Sequence, residues 1–255
     1  MPEPIHIAKT EPPPERGGFV TTPTARKING ALGLITALPG SQMTMVCGAP
    51  GIGKSETVRH FQRENRDVLI FTASGNGEGT GRDREPAELL AEHFRLAHEC
   101  QSIAAIRRAL RSHARLSDVT IIFDEANNLS GRGMEWLRIV CEEGGANLAL
   151  VGDLNLASKV ARLPQLLDRV RPFLILKKVV HNDVQEIAAS YGIASQQALK
   201  VLNQVAQKQA ATGGLRSVVK VLQLADIFAN GEAITVAHIK SACANMNLNP
   251  EGDLK

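Results

Sequence analysis

Short apolar runs punctuate the chain at 43–47, 68–72, 119–123, 148–151 and 173–176, each too short for a helix and rich in β-prone residues. Between them the apolar spacing changes to that of helices. Residues 55–65 place Val58 and Phe61 on one face, Pro86 suits the first position of a helix over 86–99, and further helices read at 102–115 and 130–143, the last closed by Gly144-Gly145. Apolar runs alternating with helices predict a parallel sheet covered on both faces. After Lys178 the strand signals stop. Helices are expected at 182–191, with Asn182 and Gln185 as a capping box, then at 195–211, 214–229 and 235–246, with Thr235 as N-cap. The predicted architecture is α/β, a core with a parallel sheet flanked by helices at 27–178, followed by a small all-helical domain at 179–255. No internal repeat is visible.

Two stretches escape this pattern. Residues 1–26 hold half of the twelve prolines and read as an extended arm, either a free tail or an arm lying on a neighbouring subunit. Residues 75–81 are too rich in glycine for anything but a loop. The net charge of +3 permits nucleic-acid binding without arguing for it. Cys47, Cys100, Cys141 and Cys243 form no CxxC pair and read as reduced thiols, not a metal site. With no signal peptide and no apolar run near ~18 residues, a cytoplasmic protein without a membrane span is expected.

The chemistry is concentrated after the first run. Gly48-Ala49-Pro50-Gly51-Ile52-Gly53-Lys54-Ser55, followed by Glu56, matches GxxxxGK[ST] between a strand and a helix. Glycines let backbone N–H groups turn toward phosphates, and the helix aims its N-terminus at the same anion. Lys54 is expected on the β- and γ-phosphates and the Ser55 hydroxyl on Mg²⁺. The run at 120–123 ends in Asp124-Glu125. In a parallel sheet these carboxylates fall beside the phosphate loop, Asp124 to hold Mg²⁺ through water and Glu125 to orient the attacking water. No guanine-specifying NKxD motif is present, so ATP hydrolysis is expected.

On these motifs the chain resembles the AAA+ ATPases. With TIIFDEANNLS, LALVGDLN, LLDRVRPF and GGLRSVVKVL it resembles, among them, the Mu B-type and TniB/TnsC-like DNA-transposition ATPases over about residues 28 to 247. The resemblance implies an AAA+ core with a helical lid, and a polar sensor at Asp153 or Asn155. It implies a group near Thr72 or Ser74 that restrains Glu125, an arginine finger at Arg169 or Arg171 acting on a neighbour's nucleotide, and a lid arginine at Arg216. It also implies partners: duplex DNA, a transposase and further copies of the chain, in a bacterial host cytoplasm. Mu B-type proteins carry a helix-turn-helix domain before the ATPase, whereas about 27 proline-rich residues precede the core here. The stretch 184–199 has a helix-turn-helix rhythm but reads as a lid helix pair, being poor in base-reading side chains. Helicase-loader (DnaC/IstB-type) and secretion-accessory (ExeA-type) ATPases share this core and stand as alternatives.

Candidate phosphate-binding residues on DNA fall in three places: Arg82 and Arg84 by the glycine loop, Arg107, Arg108, Arg111 and Arg115 along one predicted helix, and Lys159 with Arg162. With one Trp, one Tyr and seven Phe, the chain is thin in stacking residues, which favours duplex over single strands.

Overall fold

The computed structural model describes residues 17–74, 83–96, 102–208 and 214–248. Five parallel strands, β1 (Met43–Gly48), β2 (Val68–Thr72), β3 (Thr120–Asp124), β4 (Asn147–Gly152) and β5 (Val170–Leu176), form one sheet in the order β2-β3-β4-β1-β5. The central strands β1 and β3 are buried throughout, as near-continuous apolar runs require when both faces are covered.

Two helices, α1 (Pro23–Ala37) and α2 (Lys54–Glu64), cover one face, packing Ile28, Leu32, Ile35, Val58 and Phe61 against Val46, Ile122, Ala149 and Val151. The other face carries α3 (Glu85–His93), α4 (Ile103–Arg111), α5 (Gly131–Gly144), α6 (Leu154–Val160) and α7 (Pro164–Arg169), packed on Met45, Cys47, Ile121, Phe123, Leu148 and Leu150. Alternate strand residues thus feed two separate apolar layers. A third cluster lies among α8 (His181–Ser190), α9 (Gln196–Lys208), α10 (Gly214–Ala229) and α11 (Val236–Asn245), centred on Val184, Leu202, Val218, Leu222 and Ile239. The stretch with helix-turn-helix rhythm is the α8–α9 pair, whose apolar face is spent inside this cluster.

The structure departs from the sequence reading at three points. The segment to residue 26 is not extended throughout, because α1 starts at Pro23. The Thr22 hydroxyl accepts the Ala25 N–H, and proline at the first position lacks only an N–H that has no helical partner anyway. Helices α6 and α7 were not anticipated; their short apolar spacing hides between the strands. The cap of α8 is not Asn182: the helix begins at His181, and Asp183 Oδ2 reaches back to the Val180 N–H at 3.4 Å. Thr235 caps α11 as expected, accepting the His238 N–H.

Asp183 is fully buried and accepts Thr24 N–H at 2.9 Å and the Thr24 hydroxyl at 2.6 Å, while Arg26 pairs with Glu186 at 2.6 Å. These bonds fasten α1 to α8 and so join the core to the C-terminal helices.

Candidate nucleotide site

The loop from Gly48 to Gly53 joins β1 to α2, and only left-handed backbone closes it: Gly51 has φ 70° and Gly53 φ 98°. A Cβ on Gly48 would lie 3.1 Å from the Leu176 carbonyl, so glycine there keeps β5 close. Glu56 sits exposed in the first turn of α2, beyond the loop. The Lys54 ammonium donates to Gly48 O at 2.7 Å and Ala49 O at 3.1 Å, folded back over the loop it would share with phosphates. Burial lowers its pKa, and the charges of Glu125, Asp124 and Asp153 oppose that shift. Those three carboxylates and the lysine therefore occupy one field at the C-terminal ends of β1, β3 and β4.

Asp124 is buried and its Oδ1 accepts the Glu125 N–H at 2.9 Å. Glu125 is exposed and held at φ 53°, a left-handed conformation uncommon for a side chain of its size. Such strain survives where surrounding structure enforces it, commonly at functional positions. The enforcement comes from the turn 126–128. Its Asn128 Nδ2 donates to Ala73 O at 3.3 Å, and Asn127 Oδ1 accepts the Asp153 N–H at 3.0 Å. Asn127 was missed in the sequence; the polar pair after Asp-Glu was its only signal. Gly152 makes room for it, since a Cβ there would meet Asn127 Oδ1 at 2.6 Å.

Of the two sensor candidates, Asp153 caps α6 and Asn155 is turned onto it, donating its N–H at 2.8 Å and its side-chain amide at 3.0 Å. Ser74 gives its N–H and hydroxyl to the buried Glu85 and does not restrain Glu125. Thr72 is exposed, beside Asp124 in the sheet register.

Arg216 reaches this end of the sheet from the helical side. Its backbone N–H donates to Gly51 O at 3.3 Å, and its side chain is exposed. Gly214, at φ 38°, lets α10 start there, for a Cβ would lie 3.0 Å from Val179 and 3.3 Å from Gly51 O. Arg169 and Arg171 stand at the opposite end. Val170 lies beside Met43 at the start of β1, about 17 Å from the phosphate loop at ~3.3 Å per residue. Arg169 is exposed and pairs with Glu142 at 3.2 Å, while Arg171 Nη1 donates to Val170 O and Leu167 O.

The expected DNA-binding residues scatter. Arg82 lies outside the described residues, and Arg84 pairs with Glu88 at 3.4 Å on an exposed turn of α3. Arg107 pairs with Glu143, with Nε at 2.8 Å, while Arg108, Arg111, Arg115 and Arg162 are exposed. Lys159 is turned inward: its ammonium donates to Asn127 O at 2.5 Å and Leu129 O at 3.2 Å, bracing the turn after Glu125 from within. A lysine in the last turn of a short helix that packs on this turn finds unpaired carbonyls closer than solvent.

This sheet order, phosphate loop and carboxylate pair define a P-loop AAA ATPase. Residues 39–160 match the AAA domain family, and residues 169–246 match the family described as Mu B transposition protein, C terminal. Over 97% of its length the chain is 27% identical to the ATP-dependent target DNA activator B of Escherichia phage Mu, covering 78% of that protein. It is 25% identical to the Mu-like prophage FluMu DNA transposition protein B of Haemophilus influenzae, over 79% of the chain and 70% of that protein. In fold it is similar to the Aeropyrum pernix ORC2 protein, with TM-score 0.63, 16% identity, and 97% of this chain and 72% of that chain covered. It is similar also to domain III of the Thermotoga maritima replication initiation protein DnaA, with TM-score 0.55, 13% identity, and 89% and 94% covered. The chain thus joins an AAA domain to a Mu B C-terminal domain and is a homologue of the Mu B transposition activator ATPase. No helix among the described residues is long and apolar enough to cross a membrane.

Proposed function

We propose that this chain is a Mg²⁺-dependent ATPase that binds duplex DNA through its phosphates, assembles on it as an oligomer when ATP is bound, selects target DNA and hands it to a transposase. The observation that carries the reading is the relationship to the phage Mu target DNA activator along 97% of the chain, with Lys54, Asp124 and Glu125 all in place.

The Ser55 hydroxyl and the buried Asp124 carboxylate are oxygen donors of the kind Mg²⁺ takes, with nucleotide phosphates supplying further ligands. When bound, the ion would neutralise charge on the phosphates. Lys54 would leave the Gly48 and Ala49 carbonyls for the β- and γ-phosphates. Glu125 would orient a water toward the γ-phosphorus and accept its proton as the bond to the β–γ bridging oxygen breaks, giving ADP and phosphate. Asp153 and Asn155, linked to the Glu125 turn through Asn127, would sense the γ-phosphate, and Arg216 would do so from the helical side.

Arg169 and Arg171 lie too far from their own phosphate loop to act there, which favours action on a neighbouring copy. An arginine supplied in this way couples hydrolysis to assembly. Backbone contacts to DNA are assigned to Arg82 and Arg84, which follow the glycine-rich stretch 75–81, and to Arg162. The described end of that segment is tied to the Glu125 region, since Ser130, the cap of α5, donates to Asp83 at 2.6 Å.

The test is electron microscopy of the full chain with duplex DNA, with and without ATP, beside Glu125→Gln. Filaments or rings needing both ATP and DNA are expected, longer-lived in the variant. DNA binding of equal strength with and without ATP would overturn the reading.

A further inference from the structure

The sheet face away from α1 and α2 carries a concave feature that the nucleotide site does not use. It is a groove of about 450 Å³ along α4 and α5, lined by Ile103, Ala104, Arg108, Arg111, Trp136 and Glu143. Arg107 at its side is already held by Glu143. Arg108 and Arg111, by contrast, are exposed and form no ion pair among the described residues. The Trp136 indole N–H is buried and meets no acceptor. The groove thus offers an aromatic and aliphatic floor, an unmet N–H donor and two exposed guanidinium groups outside any ion pair among the described residues, Arg111 sharing the field of Glu143.

An occupant that answers all three has free backbone carbonyls, ring-like apolar side chains and carboxylates a few residues apart. A polyproline II segment leaves its carbonyls unbonded, and such segments dock in aromatic-lined grooves. The chain contains a sequence of that composition, Glu11-Pro12-Pro13-Pro14-Glu15, preceded by Pro2, Glu3, Pro4 and Ile5. At ~3.1 Å per residue Glu11 and Glu15 would stand about 12 Å apart, within the combined reach of two arginine side chains one helical turn apart. The donor copy follows from where the described chain begins. Gly17 lies against the Tyr191 hydroxyl, and Phe19 stacks on His60 of α2 at 3.9 Å between ring centroids. That is the α1–α2 side of the sheet, opposite the groove. We propose that the α4–α5 groove receives residues 1–16 of a second copy of this chain, with the prolines against Trp136 and Glu11 and Glu15 on Arg108 and Arg111.

Trp136 is the one tryptophan in the chain, so its emission reports occupancy of the groove directly. The first arm titrates a synthetic peptide of residues 1–16 into the full chain carrying Glu11→Arg and Glu15→Arg. A saturable shift of Trp136 emission is expected, weakened tenfold or more when the chain also carries Arg108→Glu and Arg111→Glu, and likewise with peptide bearing the two reversed charges. The second arm mixes the arm-reversed full chain with a groove-reversed one. Recovery of the wild-type emission on mixing, absent from each alone, is expected for an arm given by a neighbour. Recovery only within one chain carrying all four reversals would overturn the neighbour and make the arm its own. A peptide that leaves the emission unchanged, with Arg108→Glu and Arg111→Glu lowering retention of duplex DNA instead, would overturn the proposal and assign these arginines to DNA phosphates.

Discussion

The two ends of the sheet are built in opposite ways. At the N-terminal ends of the strands polar groups are satisfied in place. Ser41 donates to Ala146 O, the Gln42 N–H to Asn147 Oδ1, and the half-turned Asn147 amide to the Thr120 hydroxyl. Arg138, almost fully buried, is bound by Glu135, Glu142 and Gln165. At the C-terminal ends the backbone turns left-handed at Gly51, Gly53 and Glu125, and three carboxylates crowd one folded-back lysine. The saturated end is rigid scaffold from which Arg169 and Arg171 project. The strained end has charges whose best partners lie outside the protein. The difference sets an end whose polar groups are met within the chain against one that leaves charges for a ligand.

The comparison breaks most plainly at Lys54. Lys54→Ala should abolish retention of ATP, measured with a fluorescent nucleotide, because it removes the cation tied to the loop carbonyls; binding at wild-type strength would deny the strained end its role. Next in size is the far end. Alanine at whichever of Arg169 or Arg171 serves the neighbour should cut turnover of the assembled form about a thousandfold while leaving ATP binding intact. Mixing that variant with Lys54→Ala chains should restore part of the turnover; failure to do so would place the arginine's effect within one chain. Glu125→Gln should lower hydrolysis about a hundredfold or more with nucleotide retention unchanged, as loss of a general base predicts. Normal turnover in that variant would remove Glu125 from the chemistry.

Smaller effects sharpen the same contrast. Asp183→Asn leaves a buried donor facing Thr24 and should cost about 2 kcal/mol in denaturant unfolding, with little change in ATP affinity. Cys47, buried below the phosphate loop, has its thiol pushed up to about 12 by burial, with Asp153 adding to the shift. It should react with thiol reagents at pH 8 far more slowly than after unfolding, since the thiolate is the reactive form. Fast labelling of the folded chain would mean the loop opens without nucleotide.

The strands, most helices and the phosphate loop were legible because each rests on local rules. A period of two or 3.6, a proline at a helix start and glycines at left-handed positions are readable one segment at a time. Helices α6 and α7 were not legible, being short and packed on β1 and α5 by contacts distant in sequence. Nor was α1, where prolines over the preceding stretch masked a good capping residue. The same limit applied to single side chains. Lys159 reads as a surface cation until the turn after Glu125 is folded beneath it, and Ser74 reads as a partner of Glu125 until Glu85 is brought beside it.

Composition and spacing alone determined that this chain forms a P-loop α/β core with helices after it, and which lysine and carboxylates meet at the strand ends, because those residues must be close in sequence to strand ends and loops. Only the tertiary structure decided which polar groups are consumed internally and which are left for others. That depends on which carbonyls, carboxylates and guanidinium groups the packed sheet brings within hydrogen-bond distance, and no local pattern encodes such distances.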